Sequence, residues 1–249
     1  MGSGYQPGGV DILRRLAVGG HNRSMSETVI TVQGTFDSFH PAERATVTVV
    51  VGFEGPERSA VVTRTTQGTS ALVAGIAARH DPAHGPVTWH ATDRLQVWAN
   101  RPFNDKGVQL PLVHHARTTT RAKFRDFDDL AQWVERAAVH AGVRIEGIEW
   151  ALTEQTKQGA IAAARTRAVE EARRKAETYA GALGLGDLRC VAVADPGMLG
   201  DNTNSTSGGG QAMFSRAGKA DNGGGGLAFT PEDIAVSATV DARFVTGPA

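Results

Sequence analysis

The chain has 249 residues, 26 Lys plus Arg against 26 Asp plus Glu, and 41% hydrophobic residues. That balance excludes a global positive field that would draw it to nucleic acid or an anionic membrane, and it leaves enough apolar mass for one large domain or two small ones. Cys190 is the only cysteine, so an intrachain disulfide and a C-x-x-C redox or zinc site are excluded, and no run of 18 apolar residues exists to span a membrane.

Residues 1–24 hold six of the 30 glycines. Such a stretch cannot bury enough apolar surface to order itself, so residues 1–27 are expected to be a flexible N-terminal extension. Only Val10 to Val18 looks ordered, and a docking peptide is the alternative reading of this extension. Met1 to Gly9 lacks the apolar centre of a signal peptide. The expected location is therefore cytoplasmic, or exported if the sequence is trimmed.

A domain is expected over 28–247. Thr28 to Gly34 has the β-branched density of a strand. A second strand, Ala45 to Val51, places Ala45, Val47, Val49 and Val51 on one face. Pro56 opens a helix that runs to Arg79, as proline is tolerated in a first turn. Two long strands follow, Val87 to Asn100 and Gln109 to Phe124, joined by a hairpin loop with Asn104, Asp105 and Gly107. Alternation in the first of them falters near Asp93, which predicts a bulge there. Asp126 caps the next helix, whose buried side is Leu130, Trp133, Val134, Ala137 and Ala141, and Gly142 ends it. In the strand Val143 to Thr153, Ile145, Gly147 and Glu149 alternate against Ile148 and Trp150.

The stretch Gln158 to Leu183 organises the chain. Ile161, Ala164, Ala168, Ala172, Ala176, Tyr179 and Leu183 recur at steps of three or four and define an apolar helical face. Glu170, Glu171 and Glu177 interleave with Arg167, Arg173, Arg174 and Lys175 on the other face, where each i,i+4 pair is worth roughly 0.2–0.5 kcal/mol. Gly184 and Gly186 stop the helix. A strand at Leu188 to Ala194 follows. Residues 197–226 hold ten glycines and read as a long mobile loop without the G-x-x-x-x-G-K-[ST] pattern of a phosphate loop. From Ile234 to Phe244 clean alternation predicts a half-buried antiparallel strand. The resulting class is α+β, an antiparallel or mixed sheet with long helices packed on it.

Chemistry-bearing patterns are sparse. His80, Asp81, His84 and His90 are metal-ligand types, but they straddle Pro82 and Gly85 in a turn, where solvated side chains are the expected outcome rather than a rigid zinc frame. His114 and His115 sit side by side on a strand and point to opposite faces. Glu146 and Glu149 fall on opposite sides of a strand and make a poor acid/base pair. Cys190 is expected to be a small buried core residue, with a reactive thiol as the alternative if Arg189 lowers its pKa. The basic residues of the long helix read as a solvated face rather than a nucleic-acid site. No G-x-S-x-G, H-E-x-x-H or kinase pattern occurs. No catalytic, cofactor or metal residues are therefore assigned.

Four stretches together resemble the SIMPL domain family. They are Ile30-Thr-Val-Gln-Gly34 with Pro41-Ala-Glu-Arg-Ala45, the long hairpin before the Leu130 helix, the strand ending Trp150-Ala-Leu-Thr153, and the Ala-Arg-x-x-Ala-Val-x-x-Ala-Arg-x-Lys-Ala-Glu-x-Tyr-Ala helix running into Leu183-Gly-Leu-Gly186. The resemblance, which extends to the bacterial periplasmic immunogenic branch, covers about Thr28 to Val245. It implies an α+β fold, a tendency to self-associate and roles in stress response or protein–protein interaction, with no catalytic site to carry over. The leading expectation is a non-enzymatic, self-associating scaffold or stress-related interaction module without a cofactor. Its contact surface is expected at the hairpin end, at Trp98, Phe103, Leu110 and Leu112. A small-molecule-binding protein or enzyme, revealed by a pocket lined with convergent polar groups, is the alternative. A nucleic-acid binder is the second alternative.

Overall fold

The computed structural model describes residues 27–200 and 229–246. Most of the expected N-terminal extension and of the glycine-rich loop lies outside the described residues. Within them the order is β1 (Val29–His40), β2 (Arg44–Gly55), α1 (Arg58–Ala77), β3 (Val87–Thr92), β4 (Gln96–Asn100), β5 (Val113–Phe124), α2 (Phe127–Ala138), β6 (Val143–Ala151), α3 (Glu154–Ala182), β7 (Leu188–Ala194) and β8 (Ile234–Thr246). The class is α+β, as the alternation and helical periods imply.

The strands form two antiparallel sheets. One has the order β1-β8-β7; the other has the order β3-β5-β2-β6, with β4 also pairing β5. β1 and β2 are consecutive but do not pair; they lie in different sheets, joined by residues 41–43. β1 pairs instead with β8, from Val29 opposite Val245 to His40 opposite Ile234.

In the larger sheet Ala45, Val47, Val49 and Val51 of β2 and Ala122 and Phe124 of β5 face one side. Leu72 and Ile76 of α1 and Leu130, Trp133, Val134 and Ala137 of α2 cover that side. The Asp126 side chain accepts from the backbone N–H groups of Asp128 and Asp129 and starts α2 as expected. Ala141, placed on the buried side by periodicity, is exposed, because α2 ends before it.

Two strand expectations are corrected. The stretch Val87 to Asn100 is divided into β3 and β4, with Thr92 opposite Thr120 and Gln96 opposite Arg117. One extra residue on the first strand accounts for that register, at the expected irregularity near Asp93. The strand expected from Gln109 begins only at Val113. Residues before it are held by a turn in which Asn104 Oδ1 accepts from the N–H groups of Lys106 and Val108, and Pro111 has no N–H for a ladder. In β6 the register against β2 slips between Thr48 and Val49. This bulge lets Ile145 and Ile148 both pack on the core, which strict alternation forbids.

α3 lies on the smaller sheet. Its buried line is Ala160, Ala164, Ala168, Ala172, Ala176 and Ala180. Tyr179 and Leu183, expected in the stripe, are exposed, and Ile161 is only half-buried. A row at strict steps of four is one of the inclined ridges of an α-helix, so it crosses the twisted sheet obliquely. The methyl row allows close approach: a Cβ on Gly34 of β1 would stand 2.7 Å from Ala172 N and 2.8 Å from Ala172 Cβ, and closer still to Ala168 O.

Glu43 joins the two halves of the fold. Its carboxylate accepts from Thr153 N at 2.6 Å and Thr156 Oγ1 at 2.9 Å, at the start of α3. Its own N–H donates to Ala151 O of β6. The Thr153 backbone N–H holds the Glu43 carboxyl below its ordinary range, and a carboxylate is favoured at a helix N-terminus.

Candidate functional site

Among the described residues no helix covers the face of the larger sheet opposite α1 and α2. Alternation along β5 puts His115, Arg117, Thr119, Arg121 and Lys123 there, since Ala116, Thr118, Thr120 and Ala122 are buried. β4 supplies Trp98, directly opposite His115, and Gln96, directly opposite Arg117. β3 adds Trp89, opposite Lys123.

Around Trp98 these residues form a connected cluster. The indole and the His115 ring are stacked, with centroids 5.1 Å apart and planes 6° from parallel. The imidazole is held from both sides: Nε2 lies 2.7 Å from Asn100 Oδ1, and Nδ1 lies 3.2 Å from Glu54 Oε2. Arg117 Nε donates to Gln96 Oε1 at 2.8 Å, and its guanidinium carbon is 5.5 Å from the Trp98 ring centre. Beside the cluster opens a cleft of about 310 Å³, bounded by Val50, Gly52, Glu54, Trp98, Arg117 and Arg144 among others. Its wall is tight backbone. Gly52 N donates to Gly142 O at 2.8 Å. Gly142 has φ +76, and a Cβ there would stand 2.7 Å from Phe53 Cε2 and closer still to Cζ of the same ring.

A second groove, of about 400 Å³, runs between the β2–α1 turn and the loop before β5. Pro56, Pro102, Leu110, Pro111, Leu112 and Val113 give it a largely apolar wall. The four expected contact residues thus do not line one cavity. Leu110 and Leu112 share the apolar groove, Trp98 lines the first cleft, and Phe103 lines neither. All four are surface residues: Phe103 is 66% exposed, Trp98 44%, and Leu110 and Leu112 39% each.

The other candidates are scattered. His80 and His90 meet edge to face at 5.0 Å, while the exposed His84 is next to Asp81. N–H groups of Ala83 and His84 donate to Asp81 and hold its carboxyl below the usual range. Among the described residues no three His, Cys, Asp or Glu side chains converge. His114 faces away from His115, and its Nδ1 is buried without a hydrogen-bond partner among the described residues. Cys190 is exposed, contrary to its expected place in the core, because β7 is an edge strand with a register slip between Cys190 and Ala192. Among the described residues, no helix is long and apolar enough to cross a membrane.

Arg117, Gln96, Asn100 and Glu54 were not singled out by the sequence, and His115 drew notice only as the neighbour of His114 on a strand. They meet only through cross-strand register, and the only local signal was Trp98 on a strand beside a hairpin. A comparison with protein-family models matches residues 30–244 to SIMPL, described as "Protein of unknown function (DUF541)". No curated protein matches the chain.

Proposed function

The chain belongs to the SIMPL family, and on that premise we propose that it is a non-enzymatic interaction module that assembles with copies of itself. The observation that carries this reading is the apolar end of the β4–β5 connection. Phe103 and Val108 are 66% and 57% exposed there, with Leu110 and Leu112 beside them. Large apolar side chains clustered on a surface mark a contact site more often than scattered ones do. The sheet edges add to it: β1 and β7 each have a neighbour on one side only, and unpaired edges recruit strands from other chains. A head-to-tail contact between edge and tip closes into a ring when its rotation permits. Such an assembly suits a scaffold, including one that serves a stress response.

Size exclusion with light scattering at micromolar concentration tests the reading. A mass that is a multiple of 26.2 kDa is expected. The Phe103→Asp/Leu112→Asp variant is expected to run as a folded monomer. A wild-type chain that runs as a monodisperse monomer overturns the proposal, and a double variant that keeps the wild-type mass removes the tip from it.

A further inference from the structure

Arg117 stands apart from the other arginines of the open sheet face. Arg121 is paired with Asp93 at 3.3 Å and Arg144 with Glu146 at 3.4 Å. Arg117 instead donates one bond to a neutral amide, Gln96 Oε1, and lies against Trp98. No ion pair joins it to a carboxylate among the described residues. Glu54, on the same rim, is turned to His115. A guanidinium has five N–H donors in a planar fork, so most of Arg117's hydrogen-bonding capacity stays available. Such a fork binds carboxylate or phosphate oxygens in pairs.

The surroundings select what accompanies the anion. Trp98 is 44% exposed and fixed in orientation by its stack on His115, which is itself held by Asn100 and Glu54. A fixed indole with a solvent-facing part is a stacking surface for a flat ring. Val50 and Gly52 of β2 line the cleft with short groups. Arg144 lines the same cleft. Its partner Glu146 is bound across two largely exposed side chains, a pairing that contributes little and can be exchanged for a ligand anion. The cleft volume of about 310 Å³ is at the small end of ligand sites, which run from ~300 to ~1,000 Å³.

We propose that the Trp98–Arg117 cleft binds a small aromatic anion, with one flat ring system against Trp98 and a carboxylate or phosphate on Arg117 and Arg144. The size admits a nucleoside monophosphate or an aromatic carboxylate and excludes a dinucleotide. The cleft shares only Glu54 with the apolar groove of Leu110 and Leu112, and the proposal does not rest on self-association.

The test is calorimetric titration of the full chain, with Trp fluorescence as a second readout. The probes are AMP, indole-3-acetate, adenosine and inorganic phosphate. The ring-bearing anions are expected to bind at least about tenfold tighter than adenosine or phosphate, because only they engage both groups. Preference for AMP or for indole-3-acetate identifies which source of the shared chemistry the cleft takes. Arg117→Gln, at an exposed position, is expected to lower affinity by about tenfold or more. Arg144→Gln should lower it less, and Phe103→Asp should leave it unchanged. Absence of saturable binding by either aromatic anion up to about 1 mM overturns the proposal. So does equal binding by folded Arg117→Gln, or phosphate alone binding as well as AMP.

Discussion

Replacing Gly34 by alanine tests the seating of α3 most directly. The new Cβ would stand 2.7 Å from Ala172 N and 2.8 Å from Ala172 Cβ, whereas ordinary contacts begin at 3.4 Å. The helix and β1 must therefore part by more than roughly 0.7 Å at this point, since Ala168 O lies closer still. Neither side can yield by rotating a side chain, since the clashing groups are helix backbone and a methyl. Overpacking of this kind costs about 1–3 kcal/mol. A gap of 0.5–1 Å along the rest of the contact also forfeits about a quarter to a half of each dispersion well. The expected loss is roughly 3 kcal/mol by the same reasoning, or about 6–12 °C in Tm at ~2–4 °C per kcal/mol. Gly147→Ala in β6 is the control, because nothing lies within 4 Å of its Cβ. There the effect should be near zero or stabilising by up to ~1 kcal/mol, through reduced freedom of the unfolded chain. Urea unfolding followed by far-UV circular dichroism measures both midpoints. Equal midpoints for the two variants would refute the close contact between α3 and β1.

Ala172→Trp is expected to lower the urea midpoint strongly, because Ala172 is fully buried. Arg174→Ala should cost at most ~1 kcal/mol, since its pair with Glu171 is formed by a side chain that is 69% exposed; matching midpoints would put Ala172 on the wrong face. Glu43 has a folded pKa below its ordinary value of 4.5. Its stabilising effect is therefore complete above that value and is lost as pH falls through the folded pKa. Glu43→Gln should be less stable than wild type at neutral pH and converge with it in acid, and a constant gap across a pH series of urea midpoints would contradict this. Exposed Cys190 should react with one equivalent of a thiol reagent in the native state; reaction only after adding denaturant would return it to the core.

Elements whose buried residues are large were legible from the sequence. In α2, Leu130, Trp133, Val134 and Ala137 follow the i, i+3, i+4, i+7 pattern, and all are buried. The alternating apolar side of β8 likewise faces α3 through Val236, Val240, Ala242 and Phe244. α3 was legible as a helix, and the middle of its buried row, Ala164, Ala168, Ala172 and Ala176, was placed on the correct face. Only the ends were misplaced: the larger Ile161, Tyr179 and Leu183 were taken into the stripe where Ala160 and Ala180 are buried instead. The bulge in β6 was hidden because its cause lies in pairing with β2, not in the local residues. The two-sheet division was hidden for the same reason: nothing within β1 shows that its partner is β8 rather than β2. The cleft needed the same information. Trp98 and His115 are 17 positions apart, and only the β4–β5 register sets them face to face.

That division has a bearing on how the protein is made. Strands β2 to β6 occupy one continuous stretch, residues 44–151, and complete the larger sheet among themselves. The smaller sheet places its first strand beside its last, with Thr28 and Thr246 exchanging hydrogen bonds across a separation of 218 residues. Contacts so distant in sequence raise contact order and slow folding. During synthesis β1 emerges before the other described strands, yet its partner β8 is the last of them. The larger sheet can close on the ribosome while β1 waits unpaired, and α3 has only part of its seat until β8 arrives. The same geometry brings the two described chain ends together, so a circular permutant joined there and opened elsewhere would turn the slowest pairing into a local hairpin.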